Sequence, residues 1–450
     1  MLKKSDFGRI AEVLKVALPC IFEQFMLILI NMVTVIIIGH IGSKELVATS
    51  MTNQLVNWLQ CVFIGLAGGG TIVIARMWGL GEIKEAKEGF KQNLLLSIII
   101  SLVILFLSFV FQRQILSFFF GRAEPDVVKL ARIYFSFSMI AMPASAVISV
   151  INGCVRGVGD NKTALYSTTA LIITNLILCF VFVRGVAPIG IAPMGIVGAG
   201  IAVVSSKYIT ALFAFALLYI KKSPVLPERI DFSFKREIVL RMIRIGLPTA
   251  LEQLAFQGGF VILQTILIGF GTVFQGGYQI GGTVNGLALA PCAGLNIAVT
   301  ALISNAIGQR DYKKADELVR TSRQIAIGLF SLFGLVLIVF APYIVRLFTS
   351  DPEVIKSGKI FIRMFGSLTL PIAYNQAMSG VLKGGGDVKY ISVTTVTGLW
   401  LVRILGLYIL SRVLNNGYLA VIICVPSDFV FRSVMYHFRV NRGQWRYIRI

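Results

Sequence analysis

Two glutamates stand inside apolar stretches where a charge is costly. Glu23 and Glu252 each follow a proline by four residues, in LPCIFEQF and LPTALEQL. A charged side chain at the centre of a bilayer costs roughly 2.5–3.5 kcal/mol on insertion scales. Each lies roughly nine residues into a predicted helix, about 13 Å deep at 1.5 Å per residue. Pro19 and Pro248 lack an N–H, which frees the carbonyls of Lys15 and Arg244 one turn earlier and favours a kink beside each carboxylate. A carboxylate placed there has three uses. It can exchange a proton, it can ligate a sodium ion together with nearby carbonyl and hydroxyl oxygens, or it can simply bond to a neighbouring helix.

Few other charges fall within the apolar stretches: Lys207, Arg403, Asp428 and Arg432. Asp428 and Arg432 are four apart, so they can pair along one helix face. Ion pairing that fixes helix packing is the plain reading of these four. Uncharged polar residues are more numerous. Asn31 and Thr34 lie in the first predicted helix and Asn175 in the fifth. Gln279 and Asn285 lie in the eighth, and Tyr374 and Asn375 in the tenth. Neutral amides and hydroxyls suit a cavity that must release its ligand again, although each one singly also fits an interhelical hydrogen bond.

Composition places these residues in a membrane. The chain is 56% hydrophobic and only 14% charged, with a mean hydropathy of +0.82. Apolar runs of about 20 residues, enough to cross a hydrocarbon core of ~30 Å, recur along its length. The net charge of +21 concentrates at the two termini and in the even-to-odd helix connections. That bias predicts a multi-pass protein of the plasma (inner) membrane with both termini cytoplasmic. It also argues against nucleic acid as a partner, because the basic residues flank spans and form no domain of their own. The amino-terminal segment has no cleavage pattern and reads as an uncleaved first span. The six cysteines all fall in predicted spans without paired or metal spacing, which predicts free thiols. The Gly-rich turns 157–159 and 384–386 lack the Lys-Ser/Thr pair of a phosphate loop, and they read as helix caps.

Twelve helices are predicted, at 14–38, 46–76, 92–112, 127–151, 163–184, 195–220, 243–269, 276–304, 323–346, 356–382, 389–411 and 417–438. The connection 221–244 carries seven basic residues and two prolines. It reads as a cytoplasmic linker between an N-terminal lobe, 1–220, and a C-terminal lobe, 245–450. The halves are repeats. At an offset of 229, Pro19 matches Pro248, Glu23 matches Glu252, Gln24 matches Gln253, Gly65 matches Gly294 and Gly79 matches Gly308. In all, 13 identities occur over residues 18–86, against about 5 expected by chance in so apolar a chain. RGVGDNK (156–162) then matches KGGGDVK (383–389). Each half has six spans, so both insert with the same orientation, related by an axis along the membrane normal. The expected fold is an all-α membrane protein, with twelve transmembrane helices as two pseudo-symmetric six-helix bundles around a central cavity.

With this repeat in view, the chain resembles the multidrug and toxic compound extrusion (MATE) family. The resemblance covers nearly the whole chain. It is carried in order by LPCIFEQF…NMVTVIIIGHIG, IARMWGLGEIKEAK, NGCVRGVGD, PMGIVGAGIA, IGLPTALEQ and LWLVRILGLY. It implies antiport of organic cations and other toxic compounds against sodium ions or protons by alternating access. It implies no enzyme activity and no cofactor beyond the coupling ion. The expected partners are the lipid bilayer and a small-molecule substrate, with the protein a monomer. The alternative is a flippase for a lipid-linked precursor, which belongs to the same superfamily. A basic central cavity would favour that reading, whereas the candidate cavity residues here are acidic or neutral.

The family pattern also shows departures. Many members carry an aspartate where this chain has Thr34, and an Asn–Asp pair where it has Asn175 and Cys179. The acidic residue common in the seventh helix falls at Phe256, one turn beyond Glu252. An aspartate of the tenth helix in some members falls at Ile372. The resemblance therefore shifts the expected ion-coupling role to Glu252 and to Glu23. Glu23 shares a helical face with Thr34, and a sodium ion could sit near either glutamate.

Overall fold

The computed structural model describes residues 4–39, 41–120, 124–185, 192–226, 233–268, 270–349 and 351–448. Every regular element among them is helical. In chain order these are α1 (Lys4–Gly39), α2 (Ser43–Gly79), α3 (Ile83–Val110), α4 (Gln112–Phe120), α5 (Pro125–Ile140), α6 (Met142–Gly157), α7 (Asn161–Arg184) and α8 (Gly195–Ile220). There follow α9 (Arg236–Ile268), α10 (Thr272–Gly308), α11 (Tyr312–Arg346), α12 (Pro352–Gly385), α13 (Val388–Thr397), a π-helical segment (Gly398–Leu405), α14 (Gly406–Leu414), α15 (Gly417–Asn441) and a closing 3₁₀ turn (Gln444–Tyr447).

Among the described residues, ten continuous helices, with α13 through α14 taken as one, are long and apolar enough to cross a membrane. An eleventh span is the pair α5 and α6, bent by 44°. The bend has a local cause: Pro143, at the start of α6, cannot donate to the carbonyl one turn back. At 34 residues, α12 is also long enough to span, though its sequence is less apolar. Large apolar side chains such as Phe106, Leu212 and Ile220 point outward, 67%, 71% and 77% exposed. That suits a lipid solvent rather than water. The chain is a multi-pass membrane protein.

Several helices start earlier than their hydropathy suggests. α3 begins at Ile83 and α11 at Tyr312, rather than at 92 and 323. Residues 236–244 of the expected linker are the first turns of α9. These added turns are polar, so an apolar window passes over them, yet they are stabilised as helix. Asp311 caps α11 by accepting the Lys314 N–H at 2.9 Å. The start of the chain segment leading into α9 is clasped by Gln92 of α3, which donates to the Ser233 carbonyl at 2.6 Å and accepts the Lys235 N–H at 3.2 Å.

The chain forms two compact units. One is Met26–Ala250; the other joins Met1–Phe25 to Leu251–Ile450. The division therefore falls inside helices α1 and α9, and not at the linker. In the second unit Val13, Ala17 and Cys20 of α1 are buried in one apolar core with Leu263, Leu295, Val299 and Met378. The repeated glycines explain how the helices meet. A Cβ on Gly294 of α10 would lie 2.5 Å from the Ile21 backbone of α1. In the first unit, a Cβ on Gly65 of α2 would lie 2.5 Å from the Ala250 backbone of α9. Ile21 and Ala250 are themselves repeat equivalents at the offset of 229. Each Pro-x-x-x-Glu-Gln helix start thus packs, backbone to backbone, on the glycine-bearing helix of the opposite repeat.

This packing makes a prediction. Gly294→Ala forces backbone apart and is expected to destabilise the protein by about 1–3 kcal/mol, as overpacking does. Gly68→Ala, where an added Cβ meets nothing within 4 Å, serves as the control. Thermal unfolding in detergent should show a lowered midpoint for the first variant only; equal midpoints would remove the close approach as a stabilising feature.

Candidate functional site

Glu252 sits one turn past Pro248 on α9, in the unit that contains the C-terminal half. It is 8% exposed. Three other helical segments bring polar groups to it. Thr395 of α13 donates its hydroxyl to Glu252 Oε1 at 3.3 Å. Tyr436 of α15 lies 2.9 Å from the same hydroxyl oxygen, and it donates there because the Thr395 proton is already used. Lys383, in the last turn of α12, places Nζ 4.0 Å from Glu252 Oε2. Among the described residues, Oε2 itself has no hydrogen-bond partner. Two hydroxyl donors in series thus hold one oxygen of the carboxylate, while the other faces an ammonium group beyond hydrogen-bond range.

The backbone around this cluster is closely fitted. Trp400, in the π-helical segment, donates Nε1–H to the Ala255 carbonyl at 3.2 Å. A Cβ on Gly259 would meet Leu399 at 2.6 Å. These two contacts hold α9 against the π turn on the side of Glu252 away from Pro248. A π segment widens the helix and re-aims the side chains that follow it; here it carries Arg403.

Arg403 joins a second buried cluster. Its Nη2 lies 2.7 Å from Asp428 Oδ2, and Arg432 Nη2 lies 2.6 Å from the same oxygen. Asp428 is 0% exposed. Both guanidinium groups lie over the Phe429 ring, 4.7 and 4.9 Å from its centroid. The expected Asp428–Arg432 pair is therefore present, with Arg403 added from another helix. Asp428, Arg432 and Tyr436 recur at intervals of four along α15, so one face of that helix carries the ion cluster at one end and reaches Glu252, through Thr395, at the other.

The remaining candidates are placed as follows. Glu23 is buried on α1 at 4% exposure, in the same compact unit as Glu252. Thr34 is half-buried farther along α1, past the point where the helix passes into the other unit. Asn31 is also on α1, but its side chain is outside the described residues. Asn175 donates to Ser206 Oγ at 3.0 Å, a bond from α7 to α8. Among the described residues of that unit, every Asp and Glu keeps some exposure, and the buried polar side chains are amides, hydroxyls and Lys91. Gln279 is exposed. Asn285 is buried with its Oδ1 unpartnered. Tyr374 is bonded to His437 Nδ1 at 2.6 Å, and Asn375 donates to the Phe429 carbonyl at 3.0 Å. These last two tie α12 to α15.

Lys383, Thr395 and Tyr436 are absent from the sequence-based candidates. Lys383 belongs to the repeated KGGGDVK turn, and Tyr436 continues the four-residue interval begun by Asp428 and Arg432, so both had a signal. Thr395 is one of many hydroxyl residues in an apolar helix and had none. All six cysteines are buried, and none forms a disulfide.

The MatE family model matches residues 19–181 and 248–409, one match in each half. Among curated relatives, the probable multidrug resistance protein NorM of Thermotoga maritima is 24% identical over 440 residues, covering 96% of this chain and 92% of that protein. The probable multidrug resistance protein YpnP of Bacillus subtilis is 20% identical and covers 100% and 99%. Among solved structures, the Vibrio cholerae MATE transporter VcmN in its bent form superposes with a TM-score of 0.88 at 18% identity, over 99% and 100% of the two chains. A MOP-superfamily transporter from Pyrococcus furiosus, described as having a binding pocket of reverse polarity that suggests a different function, superposes with a TM-score of 0.86 at 21% identity, over 97% and 96%. A duplicated six-span helical chain, matched by one family model in both halves, belongs to the MatE family of membrane transporters.

Proposed function

We propose that this protein exports small organic compounds, cationic or amphipathic, in exchange for sodium ions or protons, by alternating access. It acts in the plasma membrane with both termini cytoplasmic, and it catalyses no covalent chemistry. The observation that carries this reading is Glu252. It is a carboxylate more than nine-tenths buried within a span, with one oxygen unpartnered among the described residues and a lysine opposite it. A group so costly to bury is explained by what it binds. Multidrug relatives such as NorM of Thermotoga maritima support export of compounds as the direction of transport. Glu23, buried at the equivalent position of the first repeat, takes the corresponding coupling role in α1.

The coupling ion is identified by reconstituting the protein in liposomes and following a fluorescent organic cation. Transport is expected under an imposed sodium gradient or an imposed pH gradient. Transport under neither, with the protein correctly inserted, would reject ion coupling. Within α1, coupling is expected to survive Thr34→Ala better than Glu23→Gln, because only the second change removes a carboxylate. Equal losses in the same assay would move the α1 site away from Glu23.

A further inference from the structure

Lys383 occupies the position that a bound cation would need. Its Nζ is 4.0 Å from Glu252 Oε2, and that oxygen accepts no hydrogen bond from the described residues. The gap exceeds hydrogen-bond length, yet the charges still act on one another strongly in a low-dielectric interior. Among the described residues, Lys383 is the cation paired with Glu252. A buried carboxylate cannot be left without a counter-charge. Any cation that leaves Glu252 must therefore be replaced by another.

Three features suit Lys383 to that exchange. Its ammonium is a point charge on a flexible four-carbon stem, without the locked fork of an arginine. It also has a second place to go. Lys383 stands in the last turn of α12, where the negative end of the helix dipole favours a cation. The root of the side chain, by contrast, is held. Gly385, two residues on, packs so tightly on Trp445 that an added Cβ would lie 2.8 Å from its carbonyl oxygen. Trp445 is fully buried and donates to the Val440 carbonyl at 2.9 Å. The stem can swing while its attachment stays fixed. The first repeat carries a base, Arg156, at the position equivalent to Lys383, as it carries Glu23 at the position equivalent to Glu252. The two residue types thus recur at equivalent positions of the sequence repeat.

We propose that Lys383 is a tethered counter-cation: it neutralises Glu252 whenever neither the transported organic cation nor the coupling ion occupies the site, and it swings toward the negative end of the α12 dipole when either binds. This rests on the reading of Glu252 as the cation-binding carboxylate. The charge of the site then stays constant through the cycle. The returning lysine competes with the substrate for Glu252 and so assists the release that the ion gradient drives.

The test uses the full-length protein and tetraphenylphosphonium as the probe, with binding measured by calorimetry and transport in proteoliposomes. Lys383→Gln and Lys383→Met are expected to bind the probe about tenfold more tightly, the factor lost if the lysine fills the site nine-tenths of the time. Both are expected to transport it more slowly, because no lysine competes for Glu252. A lysine that only supported the fold would not tighten binding while slowing turnover. Binding at wild-type affinity or weaker in both variants, with binding lost in Glu252→Gln, overturns the exchange and leaves the reading of Glu252 standing. Wild-type binding in Glu252→Gln overturns both. If the neutral variants fail to fold, Lys383→Arg decides: its firmer hold on the carboxylate is expected to weaken probe binding, and tighter binding would overturn the proposal.

Discussion

Glu252→Gln is expected to abolish gradient-driven efflux of organic cations while the protein still reaches the membrane in normal amount. The substitution is nearly isosteric. The amide oxygen can still accept from Thr395, which now donates to Glu252 Oε1 at 3.3 Å, so the packing of α9 against α13 persists. Only the charge is lost. Without it, Lys383 faces a neutral group, and an incoming cation finds no counter-charge in the interior. A charge-assisted contact between the carboxylate and a bound cation is worth up to about 3 kcal/mol, and each 1.4 kcal/mol is a factor of ten. A fall in efflux of about a hundredfold is the expected size. Cellular efflux of a fluorescent cation, read beside a size-exclusion profile of the purified variant, checks both halves of the statement. Normal drug resistance in cells carrying only the variant would falsify the assignment of Glu252.

Asp428→Ala has the opposite signature, a loss of folding before any loss of function. Asp428 is fully buried and binds two guanidinium groups through one oxygen, at 2.7 and 2.6 Å. Its removal leaves Arg403 and Arg432 buried side by side over the Phe429 ring, without a carboxylate between them. The expected cost is about 3–5 kcal/mol. At about 2–4 °C per kcal/mol for a unit of this size, that lowers the unfolding midpoint by about 6–20 °C. Arg432→Ala is expected to cost less, because Asp428 keeps Arg403. Replacing all three residues with apolar ones of similar volume is expected to recover most of the loss, since the desolvation of three charges disappears with them. A midpoint unchanged in Asp428→Ala would mean the cluster contributes nothing to stability.

These two carboxylates differ in how they could be read from the chain. Asp428 and Arg432 are four residues apart, and helical geometry alone brings them together. Their third partner, Arg403, lies on another span, aimed by a π turn that apolar periodicity does not report. Glu252 was visible as a charge in an apolar run and as half of a repeat. Its partners were not visible, because Thr395 is 143 residues away and Lys383 lies on a third helix. Tyr374 and Asn375 were candidates by type, and the bonds they make, to His437 and to the Phe429 carbonyl, are set by the fold. Neutral polar residues in a membrane have two roles with the same composition, and only rotation about the helix axis separates them.

The amino-acid sequence by itself determined the membrane class, the twelve spans, the duplication, and the carboxylates beneath Pro19 and Pro248. Each follows from a local rule: the hydrocarbon core sets helix length, the cost of burying charge singles out the few that are buried, and a fixed offset betrays a repeat. Only the tertiary structure decided that α1 and α9 divide between the two compact units, that Gly65 and Gly294 exist to let backbones meet, and that Lys383 stands opposite Glu252. Those outcomes depend on how helices rotate and cross, which is set by the sum of many small packing contacts spread over residues distant in the chain. No single residue announces that sum, so the charges could be found from the sequence, but not the company they keep.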